Sequence, residues 1–283
     1  MNKFLRHILL GLGVLLVVNL LYVVVIGGNL RSYEKKYLDC PERFRLLVLG
    51  DSHANRSWAG NTDSLRYNFA QGSDNITDMM MKLEYAIQHN QFEGKKAVVL
   101  PFEPHLVSVY REEKQNNTVN RTINNPYVNK HVVYWLPLFF DANTGFDTKR
   151  YVLQFGKKPA DPEKDTFSKG RARSRAAAQF PDSTVSRKLL REYQALITRA
   201  QQGGYDIIPV RYPVHPYYDS LVRNRPESAY LTTVVDSLAK ANGLTVRDFT
   251  PELQDEGWYV DQDHLNKKGA AVFMGKFTEV FHY

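Results

Sequence analysis

The four residues Ala97-Val98-Val99-Leu100 carry no polar side chain, and a comparable run, Leu46-Leu47-Val48-Leu49, lies about fifty positions earlier. Unbroken runs of this kind suit strands buried on both faces, as in a parallel sheet covered by helices. Between the runs, and again beyond them, the apolar period changes to that of a helix. Ile76, Met79, Met80, Leu83, Ala86 and Ile87 mark one over 75–88, and Leu189, Leu190, Tyr193, Leu196 and Ile197 mark another over 185–202, stopped by Gly203-Gly204. Further strands are predicted at 45–49, 65–70, 206–210 and 244–249, and helices at 228–242 and 267–280. Strands alternating with helices over this length predict an α/β protein, a three-layer sandwich built on a parallel sheet.

Two short motifs sit at loops of that pattern. Gly50-Asp51-Ser52-His53 follows the first apolar run, and Asp261-Gln262-Asp263-His264-Leu265-Asn266 precedes the last helix. Together they supply a serine, a histidine and a carboxylate three residues before it. A serine hydroxyl becomes a useful nucleophile only when an imidazole takes its proton. The imidazole in turn needs a carboxylate on its other nitrogen to fix the tautomer. Asp261 is spaced to fold back on His264, whereas Asp263, next to it, is expected to point elsewhere. Ser52 falls at the carboxyl end of a buried strand, the edge where open α/β sheets build their sites.

These residues resemble the SGNH (GDSL-like) hydrolase superfamily, over residues 45–283, in Gly50-Asp51-Ser52 and in Asp261-x-x-His264. Asp51-Ser52-His53-Ala54 and His264-Leu265-Asn266-x-x-Gly269-Ala270 are closer to one branch. That branch is the SGNH domains serving membrane-bound O-acyltransferases of cell-surface glycans, with the teichoic-acid D-alanylation and alginate O-acetylation proteins as looser relatives. The resemblance implies a flavodoxin-like sandwich with Ser52 as nucleophile, His264 as general base and acid, and Asp261 as the orienting carboxylate. Gly72 stands where the family has a glycine whose N–H, with that of Ser52, binds the oxyanion. The family's Gly-x-Asn-Asp block is missing. The third strand instead ends in Leu100-Pro101-Phe102-Glu103-Pro104-His105. Asp51, His53, His105 and His215 are expected to line the site, with His105 as a candidate further oxyanion donor. His105 and His215 can equally be loop histidines with local hydrogen bonds.

Lys3, Arg6 and His7 precede an uncharged run over residues 8–28. About 20 apolar residues suffice to cross a bilayer as one helix. The run is read as a retained signal anchor, with a cleaved signal peptide as the alternative, and residues 29–44 as a polar stalk. The basic residues on its two sides give no strong vote on orientation. The resemblance favours a bacterial cytoplasmic membrane protein whose domain faces the periplasm.

From 106 to 182 the α/β rhythm stops, and Asn, Pro, aromatic and basic residues dominate, as in a functional insertion. Its aromatics suit a carbohydrate-binding lip, a dock for a membrane partner, or simple packing. The single cysteine excludes internal disulfides and cysteine-rich metal sites. A net charge of +7 suits an anionic neighbourhood. Lys169-Gly170-Arg171-Ala172-Arg173-Ser174-Arg175 is either a solvated basic face or a contact for phosphate or uronate groups. No nucleic-acid motif accompanies it.

The reading is thus an esterase or O-acyltransferase acting on acylated or acidic polysaccharide, with a multi-span acyltransferase as partner. Its chemistry needs neither metal nor organic cofactor. The alternative is a non-catalytic scaffold or glycan-binding member.

Overall fold

The computed structural model describes residues 3–59, 65–112, 163–181 and 185–281. The chain divides into two compact units, residues 1–40 with 117–159, and residues 41–116 with 160–283. In the first unit the described residues form helix α1 (Lys3–Leu38), which continues through most of the stretch expected to be a stalk. Its apolar side chains from Phe4 to Leu21 are largely exposed. Among the described residues no helix is long and apolar enough to cross a membrane. The side chains at 19, 22–35 and 37–38, which are divided between the expected anchor and stalk, lie outside that description, as does most of the expected insertion.

The second unit carries β1 (Leu46–Val48), α2 (Ser52–Ser57), β2 (Arg66–Asn68), α3 (Ile76–His89) and β3 (Lys96–Pro101). Two 3₁₀ turns, Pro104–Val107 and Val109–Arg111, follow β3. Beyond them come α4 (Lys169–Gln179), α5 (Arg187–Gln202), β4 (Tyr205–Arg211), α6 (Pro216–Arg223), α7 (Pro226–Ala241), β5 (Arg247–Asp248) and α8 (Lys267–Val280). The five strands form one parallel sheet in the order β2-β1-β3-β4-β5. The fold is therefore α/β, in an arrangement consistent with three layers. Helices α4 and α6 were not expected from the sequence, because one lies in a basic run and the other is only eight residues long.

The pleat sorts each apolar run to two sides. Leu46, Val48, Ala97, Val99, Ile208 and Val210 join one core cluster with Trp58 of the α2 end and Phe273 and Phe277 of α8. The Trp58 and Phe277 rings are 4.8 Å apart, and Trp58 Nε1 donates to Tyr212 Oη at 3.1 Å. Burying each such phenylalanine contributes about 2–3 kcal/mol. At the carboxyl end of β3, Tyr193 of α5 donates its hydroxyl to the Pro101 carbonyl at 2.5 Å. Helices α3 and α5 are tied by the Arg199–Glu84 ion pair at 2.6 Å.

These packings place the functional loops. Gly50 has a φ of +144°, and a Cβ there would come within 2.5 Å of Ala54 Cβ, so only glycine lets β1 turn into α2 at this point. At the far end, a Cβ on Gly269 would stand 2.2 Å from the Trp258 carbonyl oxygen. Helix α8 thus lies against the backbone that leads into residues 261–264, and Asn266 caps it by accepting from the Gly269 N–H at 2.9 Å.

Candidate active site

Ser52 opens α2 and is half-buried, with Asp51 as the helix cap accepting the His53 N–H at 3.0 Å. Gly72 is close by, since a Cβ built on it would lie 3.9 Å from Ser52 Cβ. The predicted orienting pair is formed. His264 Nδ1 is 2.8 and 2.9 Å from the two carboxylate oxygens of Asp261. Its other nitrogen, Nε2, is buried and makes no hydrogen bond among the described residues. A serine–histidine hydrogen bond is therefore not made in this state; such bonds often tighten only when substrate binds. The ring of its chain neighbour His53 stands 5.5 Å from that of His264.

His53 is wholly buried in a polar network that extends well beyond the predicted site. Its Nδ1 is 2.8 Å from Glu103 Oε1, and its Nε2 is 3.5 Å from Asp263 Oδ2. Burial alone would lower its pKa. The charges of Glu103 and Asp51, with the contact to Asp263, outweigh burial and raise it well above the ordinary histidine value. Asp51 Oδ2 meets His105 Nε2 at 3.1 Å and Arg111 at 3.3 Å. Burial pushes the Asp51 carboxyl up, but the charge of His53, the bond from His105 and the charge of Arg111 hold it well below the usual range. Arg111 also donates to the Asp74 carbonyl, and Asp74 is paired with buried Lys82.

The four other expected lining residues are thus distributed unevenly. Asp51 and His53 lie in the network beside Ser52. His105 does too, with its Nε2 facing Asp51 Oδ2. Burial lowers the pKa of His105 in spite of the bond to Asp51. His215 is spent on structure. It caps α6 by accepting from the Tyr217 N–H at 3.1 Å and stacks on Phe167, with centroids 3.9 Å apart. Its backbone N–H donates to Gln262 O in the 261–264 loop at 3.1 Å.

The sequence reading passed over Glu103 and Arg111 and gave Asp263 no role. It left Arg175 in a run read as a solvated basic face or a contact for phosphate or uronate groups, yet Arg175 Nε reaches Asp263 Oδ2 at 2.7 Å. One signal was present: Glu103-x-His105 after β3 repeats the acid-x-His form of Asp51-x-His53 after β1, and β1 pairs with β3. The donor atoms of Asp51, His53, Glu103 and His105 lie within 4.8 Å of one another, a spacing that a metal ion can bridge. The donor set fits an ion-pair network better, since Arg111 already balances Asp51, and protonated His53 balances Glu103.

A cavity of about 390 Å³ opens on the side of His53, Glu103 and His105, with Tyr212, Tyr218 and Thr250 among its walls. Ser52, Asp261 and His264 do not line it. It is therefore a neighbour of the candidate triad and not its mouth.

No family model and no curated protein matches the chain. A solved structure from Streptococcus pneumonia, provisionally described as a platelet activating factor, is similar over 93% of this chain and 97% of its own. The two share 12% identity with a TM-score of 0.42, a likeness too slight to carry an argument.

Proposed function

We propose that this protein is a serine esterase or O-acyltransferase of the SGNH type, a three-layer sandwich with Ser52 as nucleophile, His264 as base and Asp261 as its orienting carboxylate. The observation that carries the reading is the His264–Asp261 pair, at 2.8 Å, with Nε2 unpaired, beside the second observation that Gly72 adjoins Ser52. The serine hydroxyl adds to an ester carbonyl as His264 Nε2 takes its proton. The tetrahedral intermediate collapses to an acyl-serine when His264 returns that proton to the leaving alcohol. Water or a sugar hydroxyl, deprotonated by the same nitrogen, then releases the acyl group. Backbone N–H groups of Ser52 and Gly72 are the proposed oxyanion donors.

The same reading extends to the compartment. The apolar run at 8–28 supports a single-span anchor in a bacterial cytoplasmic membrane, with the domain on the periplasmic side. Acylated or acidic polysaccharide is the proposed substrate, and a multi-span acyltransferase the proposed partner. A second reading, a non-catalytic glycan-binding scaffold, is favoured by the absence of a Ser52–His264 hydrogen bond.

A fluorophosphonate probe separates the two readings, because it labels only an activated serine. Labelling of the wild type that vanishes in both Ser52→Ala and His264→Ala is expected. A folded wild type that resists the probe, or a Ser52→Ala variant that still labels, would overturn the esterase reading.

A further inference from the structure

We propose that Arg175 is a positioning residue for the base: by neutralising Asp263 it keeps the His264 Nδ1 proton on Asp261. The inference rests on the esterase reading of Ser52 and His264. Two carboxylates compete for Nδ1, Asp261 at 2.8 and 2.9 Å and Asp263 Oδ1 at 3.3 Å. If the ring swings towards Asp263, Nε2 leaves the direction set by Asp261. How strongly Asp263 pulls depends on what else it binds.

The Asp263 side chain has no solvent exposure, so its charge must be met within the protein. Arg175 Nε meets it at 2.7 Å, Gln262 Nε2 donates at 2.9 Å, and His53 Nε2 lies at 3.5 Å. The ionisable groups facing this carboxylate are therefore Arg175, His53 and His264, with Tyr218 near it and Asp261 accepting from the Asp263 backbone N–H at 3.0 Å. Arg175 is itself held by two more residues. Tyr110, in the second 3₁₀ turn, accepts from its Nη1 at 2.9 Å. Gln179, one turn further along α4, accepts from Nε at 2.9 Å and Nη2 at 3.1 Å when its amide is turned to satisfy both of its ends. A merely solvated arginine would have none of these partners. The neighbouring Arg171 and Arg173 are exposed, so the basic run contains two kinds of residue.

The test uses the full chain and a small neutral ester, with Arg175→Met, Arg175→Lys, Asp263→Asn and the Arg175→Met/Asp263→Asn pair. R175M is expected to lower kcat about 10- to 100-fold, as slight misplacement of a base does, with KM within about twofold. The acid limb of its kcat/KM profile moves to higher pH, and R175K restores most of the rate. In the D263N background, R175M is expected to have little further effect, because Arg175 acts through Asp263. Wild-type kcat in R175M, failure of R175K to rescue, or an additive loss in the pair would each overturn the proposal. If R175M alone does not fold, the pair compared with D263N decides the matter. Ser52→Ala measured alongside separates the two ideas. Full turnover in that variant defeats the esterase reading itself, whereas loss there with no Arg175 effect defeats only this inference.

Discussion

His53 and His264 meet edge to face, with ring centroids 5.5 Å apart and planes at 89°. One ring follows the candidate nucleophile in the chain and the other is its candidate base. Their contact ties the two ends of the second unit at the place where chemistry is proposed. It also sets a buried, charged imidazole beside a half-buried one, so the electrostatics of the site belong to both.

Asp261→Asn should depress turnover less than His264→Ala does. An amide in place of Asp261 stops stabilising the imidazolium, a change that in a triad costs up to about 10⁴-fold. Asp263 Oδ1, 3.3 Å from His264 Nδ1, stands as a reserve acceptor. The expected loss is about 10²- to 10³-fold for D261N, and the full triad loss only for D261N/D263N. Steady-state kcat of the three variants checks this, and a D261N as inactive as H264A would refute it.

Stability should peak near neutral pH. The folded state raises the pKa of His53 above its ordinary 6.5, so its contribution is full below that value and is lost as pH climbs through the raised one. His105 and His215 are lowered, chiefly by burial, so each costs stability as pH drops below 6.5. Asp51 and Asp263, held below 3.8, contribute above that value and lose their contribution at still lower pH. Urea midpoints across the pH range read this curve directly. His53→Gln should flatten its alkaline side, and an unchanged alkaline slope would contradict the assignment.

Gly269→Ala should unfold or loosen the carboxyl-terminal half of the site. Its Cβ would fall 2.2 Å from the Trp258 carbonyl oxygen, a backbone atom that cannot swing aside, and 2.9 Å from Leu265 Cδ2. Overpacking of this kind costs about 1–3 kcal/mol or more. A drop in melting temperature accompanied by lost esterase activity is expected. Gly275→Ala, which meets nothing within 4 Å, is the control and should be neutral or slightly stabilising.

Arg171→Ala/Arg173→Ala should spare small-ester hydrolysis, within about twofold, and weaken any action on an acidic glycan. Both residues are exposed on α4 and away from the Asp263 contact made by Arg175. Exposed charge is screened by salt, so the difference from wild type should shrink between about 0.01 and 0.15 M ionic strength. Equal losses on both substrates would mean that the helix supports the site and does not recognise the acceptor.

How much of this was legible follows from range. The strands and long helices could be read because apolar period is a local property. So could the Asp261–His264 pair, whose members are three residues apart. Glu103 and Arg111 were not legible as partners of His53 and Asp51, because that requires knowing that β1 pairs with β3. Arg175 could not be told from Arg171 and Arg173, because residues of one basic run look alike in sequence. Ala172, Ala176 and Gln179 are buried on the same helix, and that spacing marks an inward face beside Arg175. Helix α6 is short, and its cap is a histidine in place of the usual Ser, Thr, Asp or Asn.

The interior position of β1, between β2 and β3, has a kinetic meaning. Every neighbour of this strand is parallel, so none can be gained through a tight hairpin, and each pairing must first close a long loop of chain. The charged network at its carboxyl end assembles only once β3, which leads to Glu103, His105 and Arg111, has paired with it, and α8 must also dock on Trp58. Variants that weaken the Trp58–Phe277 contact should therefore slow refolding as well as lower stability if that docking belongs to the folding nucleus, and otherwise should mainly hasten unfolding.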